Sequence, residues 1–328
     1  MTPWLPDVTR LAEMAKRPWD EITVVSAEGR DFRRAVNLCR ARPAVAVRTA
    51  PGAGPAELAR ELVGWHRYLA VLENVGGATE QLSIVDSTEA ERKAWRTPNL
   101  VLCLSSLEGE RAHRWLSSEP VPDGKGWALP ATAFATREGH WIPEHIRALA
   151  LARLAPRPGA LLWDVCAGAG AGAIGIEAAL LGAAVVAVER DAALCVRVVA
   201  NANAHGVDVR LEDGELPRAL RGLPRPDAVF LGRSTPELVR ACAGAGAGRI
   251  VVLVTELDHL GATRSTLTGA GYTVGGCQLS AAPLVDGPDG GTAVRPAETS
   301  FLVWGSRTDS DDTDATTPTR RHRRDDTD

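Results

Sequence analysis

Leu161-Leu162-Trp163-Asp164-Val165-Cys166-Ala167-Gly168-Ala169-Gly170-Ala171-Gly172-Ala173-Ile174-Gly175 decides how this chain is read. Leu161–Val165 is apolar without alternation, as a strand covered on both faces must be. It carries an acid, Asp164, near its end. A glycine turn follows, and a helix begins at Ala173. Glycine lets backbone come close to a ligand, and a helix N-terminus offers unpaired N–H groups.

In a dinucleotide enzyme the same strand–turn–helix geometry holds a pyrophosphate. Here the acid precedes the glycines. A carboxylate at that point repels a pyrophosphate and suits a cationic, amine-bearing ligand. S-adenosylmethionine, with its sulfonium and α-ammonium groups, therefore fits better than NAD. Asp164, Gly168 and Gly170 are the first cofactor-binding candidates. One strand–helix–strand unit later, Ala184–Val188 ends at Glu189. An acid at that distance meets a cofactor ribose, whose two hydroxyls can donate to its two oxygens. Glu189 alone does not separate the methyl donor from NAD.

Further along, Glu212-Asp213-Gly214-Glu215-Leu216-Pro217 follows a third strand, Val207–Leu211. A loop at a strand's carboxyl end lies on the ligand side of an open sheet. Asp213 is expected to accept from an adenine amino group, with Gly214 and the backbone near Leu216 covering the ring. After a fourth strand, Asp227–Leu231, Gly232 allows close approach beside the donor, and Arg233 faces either an anionic substrate or solvent. The intervening helices are His145–Leu154, Ala173–Leu181, a helix capped by Asp191 and running to about Ala204, Pro236–Ala243 and Leu260–Ala270. Strands Arg249–Thr255, Tyr272–Ser280 and Ser300–Trp304 complete the set. This alternation predicts an α/β fold, a Rossmann-like, mostly parallel sheet with one antiparallel strand near the end.

The 328 residues, 45% of them hydrophobic, allow two domains. Residues 1–105 read as a partial α/β lobe, with strands Ile22–Ser26, Ala44–Arg48, Tyr68–Glu73, Leu82–Val85 and Leu100–Leu104. Its helices are Phe32–Arg40 and Pro55–Gly64. Residues 106–130 have the Pro, Gly and charge content of a linker, 131–306 form the methyltransferase domain, and 307–328 read as a disordered tail. A net charge of −4 supplies no field for nucleic acid. No apolar run is long enough for a membrane span, and none suggests a signal peptide. The six cysteines lack metal-ligand spacing, so no metal is expected, and they suit a cytoplasmic setting.

With these motifs in place, the chain resembles the precorrin-6Y C(5,15)-methyltransferase (decarboxylating) family of cobalamin biosynthesis. The resemblance rests on Leu149-Ala-Leu-Ala-Arg-Leu-Ala-Pro-Arg-Pro-Gly-Ala-Leu-Leu-Trp-Asp164-Val, Ile174-Gly-Ile-Glu177, Ala187-Val-Glu189-Arg-Asp191, Asp213-Gly-Glu-Leu-Pro217 and Pro226-Asp-Ala-Val-Phe-Leu-Gly232. In the first lobe it rests on Val24-Val-Ser-Ala-Glu-Gly-Arg30, Leu72-Glu-Asn-Val-Gly-Gly77 and Asn99-Leu-Val-Leu. It implies S-adenosylmethionine as cofactor and a corrin precursor, precorrin-6Y or its cobalt form, as substrate. The implied reaction is methylation at carbon 15 with loss of the ring C acetate carboxyl. It also implies that Arg147 and Arg233 receive carboxylates of the tetrapyrrole. Cys166 stands at the first glycine of the family's turn, and the loop before Ile174 is longer by two residues. Ile142-Pro143 replaces Thr-Lys, and Arg233-Ser234 occupies a glycine-rich position. The carbon-5 lobe is read as truncated, so carbon-5 methylation is not expected of this chain alone. A homo-oligomer or a separate chain supplying the missing lobe remains open. So do a non-catalytic homologue that binds cofactor or partner, and a methyltransferase for another small molecule.

Overall fold

In the computed structural model, the structure describes residues 4–29, 31–107, 127–136, 141–287, 290–295 and 299–307. Helix α1 (Leu5–Met14) leads into strand β1 (Thr23–Ser26), helix α2 (Asp31–Ala41), strand β2 (Ala44–Arg48) and helix α3 (Pro55–Glu61). Strands β3 (Tyr68–Glu73) and β4 (Gln81–Asp86), short helix α4 (Ser87–Arg92) and strand β5 (Asn99–Leu104) follow. These strands form one sheet in the order β1-β2-β5-β3-β4. Only β1 and β2 are parallel. Strands β3 and β4 form an antiparallel hairpin, with Gly76-Gly77 in the connection.

The second sheet begins after helix α5 (Glu144–Leu154). Its elements are β6 (Leu161–Val165), α6 (Ala173–Leu180), β7 (Ala184–Glu189), α7 (Ala192–Ala204), β8 (Arg210–Asp213), β9 (Ala228–Leu231), α8 (Pro236–Gly244), β10 (Arg249–Val254), α9 (Leu257–Gly269) and β11 (Thr273–Leu279). A small hairpin, β12 (Leu284–Asp286) with β13 (Thr292–Val294), precedes β14 (Ser300–Ser306). Sequence reading did not anticipate that hairpin. The sheet order is β11-β14-β10-β9-β6-β7-β8. Strand β14 runs antiparallel to both β10 and β11, and the other pairings are parallel. The chain order reverses between β6 and β9. At such a switch point an open sheet binds ligands, beyond the strands' carboxyl ends.

Local sequence explains the boundaries. Asp191 caps α7 by accepting from the N–H groups of Ala193 and Leu194 at 2.8 and 3.1 Å. Pro236 starts α8. Strands β6 and β7 are buried along their whole length, which their unbroken apolar runs require.

Two residues of the first lobe pack into the core of the second sheet. Between β8 and β9 the chain makes only a 3-10 turn, Arg218–Leu220. The sheet face formed by Leu161, Trp163, Val165, Val186 and Val188 is covered instead by Trp65 and, at the end of α2, Ala41. Around this contact Asn37 Nδ2 donates to the Gly159 carbonyl at 3.0 Å, Arg33 pairs with Asp227 at 2.5 Å, and Arg67 pairs with Asp208 at 2.6 Å.

Most of the expected linker lies outside the described residues. Its end does not behave as a linker. Ala128 and Leu129 donate backbone N–H bonds to the buried Glu177 carboxylate on α6 at 2.9 and 3.0 Å. Residues 308–328, most of the expected disordered tail, also lie outside the described residues. Among the described residues, no helix is long and apolar enough to cross a membrane.

Candidate functional site

Asp164 sits near the carboxyl end of β6 and is 2% exposed. Its Oδ2 accepts from the Gly175 N–H at 2.9 Å. Gly175 lies in the first turn of α6, where backbone donors have no partner within the helix. A Cβ on Gly175 would come within 3.0 Å of that same oxygen, so the residue must be small for the acid to reach in. Burial raises the Asp164 carboxyl to about 7. The Gly175 N–H pulls it down, and the nearby Glu189 adds to the rise.

Glu189 ends β7 and is 7% exposed. Its Oε1 accepts from the N–H groups of Arg190 and Asp191 at 2.8 and 3.0 Å, and its Oε2 from Gly168 at 3.0 Å. A Cβ on Gly168 would stand 2.7 Å from Oε2 and 2.6 Å from Leu194 Cβ, so no larger residue permits this contact. The glycine loop thus folds as a 3-10 turn, Ala167–Gly170, closed onto the acid of the next strand. The turn is flanked by Cys166 (φ 62°) and Ala171 (φ 56°) in left-handed conformation, which glycine adopts more readily. Burial pushes the Cys166 thiol up to about 12, and Glu189 adds to the shift.

The other expected cofactor residues gather along the same edge. Asp213 pairs in register with Glu189 and is exposed. The Gly214 N–H donates to the Glu189 carbonyl at 3.2 Å. Leu216 is half-buried against the core of the second sheet. Gly232 follows β9, and a Cβ there would lie 3.1 Å from the Cys166 carbonyl. Gly170 points elsewhere: its α-carbon faces the Ile142 side chain. The exposed Arg233 stands next to Gly232.

Arg147 corrects the sequence reading. It was expected to receive a substrate carboxylate, yet it is completely buried. Its Nε donates to Glu177 Oε1 at 3.0 Å, Nη1 to the Ile142 carbonyl at 2.5 Å, and Nη2 to the Leu129 carbonyl. The guanidinium also lies 4.2 Å from the centre of the Trp141 ring and 5.5 Å from that of Phe134. In this conformation no donor face remains open to a substrate. Arg147 and Glu177 instead pin the segment entering the domain onto α6.

Asp164 and Glu189 differ from that pair in charge balance. Among the described residues neither makes an ion pair, and only backbone N–H groups are seen to bond their carboxylate oxygens. Two buried acids with no cationic partner, beside a turn of small residues, suit a ligand that brings positive charge.

Sequence reasoning also missed a polar group at this edge. Ser234, 4% exposed, follows Arg233. Its Oγ lies 3.3 Å from His259 Nδ1, and Glu256 Oε2 lies 3.5 Å from the same nitrogen. The only signal was polar residues just beyond two neighbouring strands, which loops show commonly.

Comparison with known proteins agrees with this geometry. A family model described as a precorrin methyltransferase domain matches residues 133–286. A precorrin-6Y C(5,15)-methyltransferase [decarboxylating] from Sinorhizobium sp is 34% identical over 218 residues, covering 65% of this chain and 50% of the relative. A protein from Pyrobaculum calidifontis named "Probable cobalt-precorrin-6B C(15)-methyltransferase (decarboxylating)" is 33% identical over 149 residues, which are 42% of this chain and 75% of that protein. Among solved structures, a precorrin-6y C5,15-methyltransferase from Geobacter metallireducens superposes with a TM-score of 0.51 at 23% identity. The match covers 55% of this chain and 97% of that one, and it shows the fold. The chain spans about half the length of the Sinorhizobium relative and 41% of a Mycobacterium tuberculosis one. The sheet order and these relatives lead to one conclusion: the chain belongs to the decarboxylating precorrin methyltransferase family.

Proposed function

We propose that residues 131–306 transfer a methyl group from S-adenosylmethionine to carbon 15 of a corrin precursor, precorrin-6Y or its cobalt form, with loss of the ring C acetate carboxyl. The observation that carries this reading is the pair of buried, cation-free carboxylates, Asp164 and Glu189, on either side of the glycine turn. When bound, the donor supplies an electrophilic methyl group on a sulfonium. Asp164 offsets its positive charge from beneath the turn. Glu189 would hold the ribose hydroxyls. Asp213, Gly214 and Leu216 border the adenine, and Gly232 leaves room at the methyl. Displacement at a methyl needs alignment and a site that tolerates the loss of positive charge, which fixed backbone and buried carboxylates supply. The exposed Arg233 is available to a carboxylate of the tetrapyrrole, whose planar recognition suits a guanidinium. The setting proposed is the cytoplasm, which suits cysteines that are all free.

Calorimetry with the methyl donor, followed by transfer of a labelled methyl group to the corrin precursor, tests the reading. Micromolar binding with label at carbon 15 is expected. A second reading, binding without transfer, draws on the Gly168–Glu189 contact that closes the loop. Binding without label transfer would favour it, and no binding at all would exclude both.

A further inference from the structure

We propose that Ser234, His259 and Glu256 form a proton-delivering relay, in which His259 Nε2 hands a proton to the carbon that loses carbon dioxide. The inference rests on the decarboxylating reading above. It starts from placement. Ser234 lies three residues beyond β9, Glu256 two residues beyond β10, and His259 in the first turn of α9. Strands β9 and β10 are parallel neighbours. All three residues therefore stand at the carboxyl edge that also holds the glycine turn. Gly232, two residues before Ser234, abuts the Cys166 carbonyl of that turn. A donor methyl held beside Gly232 would put the neighbouring substituents of the substrate near the ends of β9 and β10.

The geometry gives His259 a direction. Ser234 Oγ and Glu256 Oε2 both approach Nδ1, at 3.3 and 3.5 Å. A nucleophilic triad places the serine and the acid at opposite ring nitrogens. Here they share one, which argues against an acyl-transfer role. It holds the ring by Nδ1 and leaves Nε2 without a hydrogen bond among the described residues. The side chain is 25% exposed, so Nε2 can meet both a substrate and the water that reprotonates it. In the protonated ring Nδ1–H donates to the buried Ser234 Oγ. Glu256 is 69% exposed, so its pairing contributes little. Ser234 is thus the main positioning residue.

Loss of an acetate carboxyl calls for such a group. The bond between the methylene and the carboxylate carbon breaks, carbon dioxide leaves, and the electron pair stays on the methylene, delocalised into the ring. The proton from Nε2 captures that pair before carbon dioxide can add back, forming a C–H bond and leaving a methyl group and a neutral imidazole. The imidazole takes its next proton from water. No oxidant or reductant is involved.

The test uses the full chain and a corrin precursor labelled in the ring C acetate carboxyl, with the transferred methyl carrying a second label. His259→Asn keeps a group able to bond Ser234 and removes the proton donor. In that variant, carbon dioxide released per methyl transferred should fall about 100-fold, the low end for losing a general acid. Product that keeps its carboxylate should accumulate. Added imidazole should restore release in His259→Ala. Ser234→Ala should lower kcat for release with little change in KM, and Ser234→Thr should recover it. Thermal melting of each variant checks the fold. Unchanged release per methyl in a folded His259→Asn protein would overturn the relay alone. No methyl transfer by the unsubstituted protein would overturn the reading of the site and the relay with it.

Discussion

Two regions around α6 hold buried acids and treat them in opposite ways. Glu177 is completely buried and its charge is met inside the protein by Arg147, with two backbone donors besides. Asp164 and Glu189 are nearly as buried and, among the described residues, have backbone donors alone. The first arrangement is closed and complete, and serves to hold the entering segment against the domain. The second leaves negative charge unmatched at the edge where an open sheet takes ligands. Burial of an acid thus says little about its role. What sets the two regions apart is whether the protein itself supplies the counter-charge.

Removing the counter-charge on the closed side is expected to have the largest effect. Arg147→Ala strands Glu177 in the core, so stability should fall by about 3–5 kcal/mol, read as a lower denaturant midpoint. A midpoint within error of the unsubstituted protein would erase the contrast between the two regions.

On the open side, pH is the probe. The folded Asp164 holds its proton up to about 7, whereas in the unfolded chain it titrates near the ordinary carboxylate value of 3.8. Between those values the folded state carries a proton that the unfolded state lacks. Stability of the ligand-free protein should therefore decline as pH rises through this window, by on the order of a few kcal/mol. Asp164→Asn should remove that slope, and the difference between the two proteins isolates the group. A bound cationic ligand should also lower the carboxyl, so donor binding should release a proton near pH 7 and strengthen from pH 6 to 8. Calorimetry in buffers of different ionisation heat reads that proton.

Glu189→Ala should weaken donor affinity by ~1–3 kcal/mol, the cost of losing a charged hydrogen-bond partner. Unchanged affinity would take Glu189 out of the site. The smallest effect concerns the turn itself. Cys166 holds a left-handed conformation that costs a side chain about 1 kcal/mol. Cys166→Gly should raise stability by about that amount in thermal melts. A loss instead would show that the thiol's packing outweighs the backbone strain.

Much of the fold was legible because its signals are local. The apolar runs of β6 and β7, the cap at Asp191 and the glycine turn each declare themselves within a few residues. The site was legible in part for the same reason: Asp164, Gly168, Glu189 and Gly214 sit at strand ends, and the sheet brings them together. Arg147 was misread because a guanidinium looks alike in sequence whether it faces a substrate or a buried glutamate 30 residues away. Trp65 gave no hint that it covers the face of a sheet whose first strand begins at Leu161. His259 gave none that it meets Ser234, 25 residues away, across two strand ends.

By itself, then, the sequence determined the order of strands and helices and the edge at which Asp164, the glycine turn and Glu189 lie, since hydrophobic period and glycine act over short range. Only the tertiary structure decided which charged groups meet. Ion pairing and burial depend on distances between elements remote in the chain, and those distances follow from packing.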